Sequence, residues 1–189
     1  MDMQGQRVLK VTQDQAWNAL NDPAVLKSCI AGCDKFELSE MNTYNVGVAI
    51  KIGPVSAKFS GKVSLTDIQP PNSYALNFDA QGGVAGFGKG EAKVSLLPHP
   101  EGCELNYTVH SNVGGKLAQL GQRLIDGVAK SLAEDFFKKF EDALQAQYPV
   151  LENGASTSSG PSSQASLGIP VWVWPALVIA AGLAFFWRA

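Results

Sequence analysis

Apolar and polar positions alternate with a period of two over most of residues 36–110. They then recur every three or four residues to about position 147. Tyr44, Val46, Val48, Ile50 and Ile52 share one side of a predicted strand that ends at the turn Gly53-Pro54. On the next strand Val55, Ala57, Phe59, Gly61, Val63 and Leu65 oppose Ser56, Lys58, Ser60, Lys62 and Ser64, and Pro70-Pro71-Asn72 closes it. Tyr74, Leu76, Phe78 and Ala80 continue the apolar face. Gly88, Gly90, Ala92, Val94 and Leu96 follow after a glycine-rich turn, and Leu105, Tyr107 and Val109 after Pro98-His-Pro-Glu-Gly102. Successive hairpins of this kind predict an antiparallel meander with one wet face.

Helical signals flank the meander. Gln4 to Val11 reads as a first strand, Thr12 to Asp14 as the cap of a short helix through Ala19, and Pro23 as the first turn of another. From Lys116 to Gln147 the spacing becomes helical. Leu117, Leu120, Leu124, Val128, Leu132, Phe136 and Phe140 share a face, while Asp126–Lys130, Lys130–Glu134 and Glu134–Lys138 are set for a ladder of charge pairs on another. The expected class is α+β, a curved antiparallel sheet wrapped around one long C-terminal helix that buries both apolar faces.

The organisation beyond that helix follows from composition. Residues 1–150 form the predicted folded domain. Residues 151–166 are rich in Ser, Gly and Ala with one proline, too poor in apolar side chains to pack, and are expected to act as a flexible tether. Residues 167–189 contain an uncharged run from Leu167 to Trp187, 21 residues long. As a helix this run would measure roughly 31 Å at about 1.5 Å per residue, close to the thickness of a hydrocarbon core. Trp172 and Trp174 mark one end, and Phe185, Phe186, Trp187 and Arg188 the other, as an aromatic belt with a snorkelling cation would. Pro170 and Pro175 make a kinked span the expectation. The reading is a C-terminal transmembrane anchor. Met1 to Val11 carries Asp2, Arg7 and Lys10 and lacks the apolar core of an export signal, which places the domain in the cytoplasm.

Charge narrows the function classes. The 189 residues hold 15 Lys and Arg against 17 Asp and Glu, a formal net charge of −2. That balance argues against nucleic acid, whose phosphates demand clustered cations. Three cysteines (Cys29, Cys33 and Cys103) form no disulfide framework and no metal knuckle, and His99 and His110 both read as solvent-facing. Gly83 to Lys89 has the spacing of a phosphate loop, but Gly90 stands where Ser or Thr is needed and strands flank both sides.

The inward positions carry no Asp, Glu, Lys, Arg or His, so no general acid or base is on offer there. Two readings of that face stand side by side. Its small residues, among them Ala57, Gly61, Ala80, Gly88, Gly90 and Ala92, either allow close helix packing or leave an open apolar pocket. A pocket would lie between Phe59, Tyr74, Phe78 and Tyr107 on the sheet and Leu117, Leu120 and Leu124 on the helix. If Gly61 and Gly90 are cavity spacers, leucine at either should abolish ligand loading and leave the fold intact.

Four segments in order carry a resemblance. They are Ala31-Gly-Cys33, Lys51-Ile-Gly-Pro-Val55 with Lys58-Phe-Ser-Gly61, Gly82-Gly-Val-Ala-Gly-Phe-Gly-Lys-Gly90, and Gly114-Gly-Lys-Leu-Ala-Gln-Leu-Gly121. Together they resemble the carbon monoxide dehydrogenase G-subunit family of the START/polyketide-cyclase (helix-grip, SRPBCC) superfamily. The resemblance implies a helix-grip fold and a non-catalytic accessory role beside a molybdenum-containing carbon monoxide dehydrogenase or related hydroxylase, recruited to the cytoplasmic membrane. It transfers no catalytic residue. No tightly bound cofactor is expected. A quinone or other lipid-like ligand suits an apolar pocket on a membrane leash, and a lipid- or isoprenoid-binding or polyketide-cyclase-like enzyme of the same fold is the alternative.

Overall fold

Strand β1 (Asp2–Leu9) is followed by two short helices, α1 (Gln13–Leu20) and α2 (Pro23–Cys29), in a computed structural model that describes residues 1–149. Both helices start where their capping residues dictate. The Thr12 hydroxyl accepts from the Gln15 amide at 3.3 Å and the Gln15 side chain accepts from the Thr12 amide at 2.9 Å, a reciprocal capping box. The Asp22 carboxylate accepts from the Ala24 amide at 2.8 Å, with Pro23 in the first turn.

Six more strands follow: β2 (Cys33–Glu40), β3 (Thr43–Ile52), β4 (Val55–Gln69), β5 (Ser73–Gln81), β6 (Phe87–His99) and β7 (Gly102–Gly114). They form one antiparallel sheet in the order β1-β7-β6-β5-β4-β3-β2. The register opposes Val63 to Phe78, Phe78 to Gly90, and Ala92 to Val109, so the predicted apolar positions line one face. The long helix α3 (Gln122–Gln147) closes the described chain. This is the expected curved sheet with a C-terminal helix.

Two expectations about the helix are corrected. It begins at Gln122 rather than Lys116, because Gly121 takes a φ of +88° and a separate 3-10 turn (Ala118–Leu120) precedes it. Its charge ladder is also rewired by tertiary structure: Glu134 pairs with Arg7 of β1, and Asp126 accepts from the Gln122 side chain at 2.7 Å.

Two packed clusters sit at different places along the sheet. The larger joins β1, α1, β6, β7 and the C-terminal half of α3 through Leu9, Leu20, Leu96, Leu105 and Phe140. The smaller gathers Ile52, Phe59, Ala85 and Leu117 near the start of α3. Among the described residues no helix is long and apolar enough to cross a membrane. The predicted tether (151–166) and apolar anchor (167–189) lie outside the described residues.

Candidate functional site

Two apolar chambers occupy the space beside these clusters. The first, about 310 Å³, runs from α1 and α2 across β2 to β7; Tyr44, Tyr74, Leu76, Phe78, Tyr107 and Phe137 are among its walls. The second, about 320 Å³, lies toward the start of α3 and is bounded by Ile50, Phe59, Phe78, Gly88, Leu117 and Val128 among others. Phe78 and Val109 line both. Each volume is near the lower end of the roughly 300–1,000 Å³ typical of small-molecule sites.

The chambers differ in polarity. The first holds three tyrosines. Tyr74 is 6% exposed, sits edge-on to Trp17 at 5.6 Å between ring centroids, and has its hydroxyl pKa pushed up by burial and, secondarily, by neighbouring Tyr44. It is therefore a neutral hydrogen-bonding group at any physiological pH. Tyr107 stacks on Phe137 at 5.2 Å, and Arg7 stands 5.6 Å from the centre of that same Phe137 ring. The second chamber is hydrocarbon apart from Ser111 and Met1, whose terminal ammonium donates to the Ser111 carbonyl at 2.8 Å. No Asp, Glu, Lys, Arg or His side chain lines either chamber.

The sequence-derived pocket residues divide between these spaces. Tyr74, Phe78 and Tyr107 line the first chamber, and Phe59, Phe78 and Leu117 the second. Leu120 packs against the smaller cluster. Leu117 and Leu120 precede α3 rather than belonging to it. Leu124 lines neither chamber: it is 41% exposed and lies over the β3–β4 turn, 3.6 Å from where a Cβ on Gly53 would be. The helical wall is instead Ile125, Val128, Ala129 and Leu132 in one chamber and Phe136 and Phe137 in the other. Counting from Ile125 finds this stripe. Counting from Leu117 carries a helical phase through Gly121, where the backbone resets it.

The glycines also divide. A Cβ at Gly61 would collide with the Asp79 carbonyl and stand 2.6 Å from the Ala80 Cα, and one at Gly90 would collide with the His110 carbonyl. Both are needed for close strand approach, so leucine at either would disrupt the sheet; the expectation that the fold would survive is corrected. Gly88 behaves as a spacer: a Cβ there meets nothing within 4 Å. The glycine turn 82–86 and the Gly114-Gly115 pair lie against each other, with the Leu117 amide donating to the Ala85 carbonyl at 3.0 Å.

Other candidate chemistry stays peripheral. Cys29 and Cys103 are buried and Cys33 half-buried, all three are free, and burial raises each thiol pKa, which keeps them protonated. His110 meets Asp2 at 2.5 Å on the outer sheet face. Gly83–Ala85 is a 3-10 turn between strands, without the long helix a phosphate loop requires. Among the described residues no group of three His, Cys, Asp or Glu is placed to hold a metal.

Comparison with known proteins gives a consistent assignment. The family model for the G subunit of carbon monoxide dehydrogenase (CoxG) matches residues 5–145. No curated protein matches the chain. A conserved protein from Geobacillus kaustophilus of solved structure is 38% identical, with a TM-score of 0.74 over 78% of this chain and 97% of that one. A Thermus thermophilus protein (14% identity, TM-score 0.61, 78% and 99% of the two chains) shares the fold. So does a Rhodobacter sphaeroides protein (16% identity, TM-score 0.58, 77% and 92%).

Proposed function

Because the chain belongs to the carbon monoxide dehydrogenase G-subunit (CoxG) family, we propose that it is a non-catalytic accessory protein that recruits a molybdenum-containing carbon monoxide dehydrogenase, or a related hydroxylase, to the cytoplasmic membrane and carries a quinone in its apolar interior. The observation that carries this reading is the pair of chambers, sized for a small molecule and lined by hydrocarbon with tyrosines at one end. Family membership suggests the accessory role. The quinone follows from electron accounting: oxidation of carbon monoxide with water to carbon dioxide yields two electrons and two protons, which reduce one quinone to a quinol. A quinone is the apolar carrier a membrane offers, and the apolar run at 167–187 would keep the domain beside that supply.

The same lining weighs against a cyclase-type enzyme. Such chemistry needs a group that changes protonation near neutral pH, and the buried Tyr74 hydroxyl is shifted away from that range. Native mass spectrometry of the detergent-extracted full-length protein, with organic extraction of any bound molecule, tests the carrier reading. A stoichiometric quinone is the expected result. Bound phospholipid would redirect the function to lipid handling, and a bare mass with no uptake of added quinone would leave a tether alone. Recruitment is tested separately by cell fractionation: the dehydrogenase should follow the membrane when the full chain is present and leave it when the apolar segment is deleted.

A further inference from the structure

The two chambers share a wall made of Phe78 and Val109, on β5 and β7. The strand between them, β6, turns Gly88, Gly90 and Ala92 toward the interior, so nothing larger than a methyl group rises from its floor there. Phe78 stands directly opposite Gly90, and on its other side the residue diagonal to it on β4 is Gly61, which pairs with Ala80. Neither glycine admits a side chain, because a Cβ at either would strike the backbone of the adjacent strand. No side chain rises beside the ring on the β6 side, and on β4 only the short Val63 stands directly opposite it. Val109 is short and stiff at χ1, which leaves the ring as the part of the wall able to move.

We propose that the Phe78 ring is a swinging partition that sets the length of ligand the interior accepts, joining the two chambers, when turned aside, into one trough along β6 for a single elongated apolar molecule with one polar end. This rests on the carrier reading and deepens it. The polar end lies beside Tyr44 and Tyr74, whose hydroxyls serve a carbonyl or hydroxyl group, and the hydrocarbon chain passes over Gly90 into the second chamber. With the ring across the trough, the first chamber alone holds only a short-chain ligand.

The test uses the full-length protein in a single detergent, native mass spectrometry, and isoprenylated benzoquinones with short and long chains as probes. Occupancy is read as the ratio of variant to wild type at each chain length, so that partition into micelles cancels. Phe78→Trp enlarges the wall, and Gly88→Leu fills the second chamber from a position where an added Cβ is unobstructed. Each should lower occupancy by the long-chain quinone about tenfold, the loss of one or two buried methylenes or more, while short-chain occupancy stays within about twofold. Phe78→Ala should raise long-chain occupancy. Circular dichroism reports folding, and if Phe78→Trp fails to fold, Gly88→Leu alone decides whether the chain crosses into the second chamber. Equal losses at both chain lengths, or an unchanged long-chain signal, would overturn the partition and leave quinone carriage standing. Failure of the wild type to take up either probe would overturn both.

Discussion

At Gly90 an added methyl group would run into the His110 carbonyl and stand 2.8 Å from the Ser111 Cα, whereas at Gly88, two positions earlier on the same strand face, it would meet nothing. One glycine is dictated by backbone approach and the other by space, and their substitutions should move stability in opposite directions. Gly90→Ala is expected to cost about 1–3 kcal/mol, as overpacking does. Gly88→Ala should be neutral or stabilising by roughly 0.5–1 kcal/mol, because alanine restricts the unfolded chain. Urea denaturation of the two variants checks both signs, and a large loss at Gly88 would remove the evidence for space at that position. The sequence shows both as small residues on one face and has no means of separating them, since the distinguishing atoms belong to β7.

Among the elements, strand β2 at the sheet edge is tied inward by a side chain that reaches over its neighbour. The Asp34 carboxylate pairs with Lys58 on β4, passing above Gly47 of β3, where a Cβ would stand only 2.5 Å from an Asp34 oxygen. The hydrogen bond from Lys58, its largest cause, holds the Asp34 carboxyl below its ordinary value of 3.8, against a smaller opposing effect of burial. A carboxyl lowered in the folded state contributes stability above its unfolded pKa and loses it as pH falls through the folded one. The melting-temperature difference between the wild type and Asp34→Asn is therefore expected near neutral pH and should shrink toward zero below about pH 3.8. A difference that persists in acid would assign the effect to something other than charge. Both partners are exposed, so added salt should shrink the difference too. The start of α3 depends on tertiary context in the same way. Spacing marked a long amphipathic helix correctly, yet the positive φ at Gly121 displaced its first turn and moved Leu124 out of the wall that Ile125 occupies.

Across the whole molecule, the apolar interior is of two kinds. Phe140 is fully buried among Leu9, Leu96, Leu105 and Leu144, whereas Val63 faces a chamber on its inner side. Deleting buried atoms costs most where neighbours fit tightly against them. Phe140→Ala should therefore lose about 3–5 kcal/mol, and Val63→Ala about 1 kcal/mol or less. Chemical denaturation of the pair measures the contrast. A comparable loss per deleted atom at both sites would mean the sheet face is packed throughout.

The period-two and period-3.6 patterns, the proline and glycine turns and the helix caps are local signals, so the sequence by itself determined the element order, the antiparallel meander, the apolar inward face and its lack of ionisable side chains. It also determined most of the chamber residues on the sheet, because strand alternation assigns a face without reference to any partner. The split of that face into two chambers, the place of Phe78 between them, the diversion of Glu134 to Arg7 and the true phase of the long helix were decided by tertiary structure alone. Each depends on how closely two backbones approach or on which distant side chain arrives first, and those distances exist only after the sheet has curved around the helix.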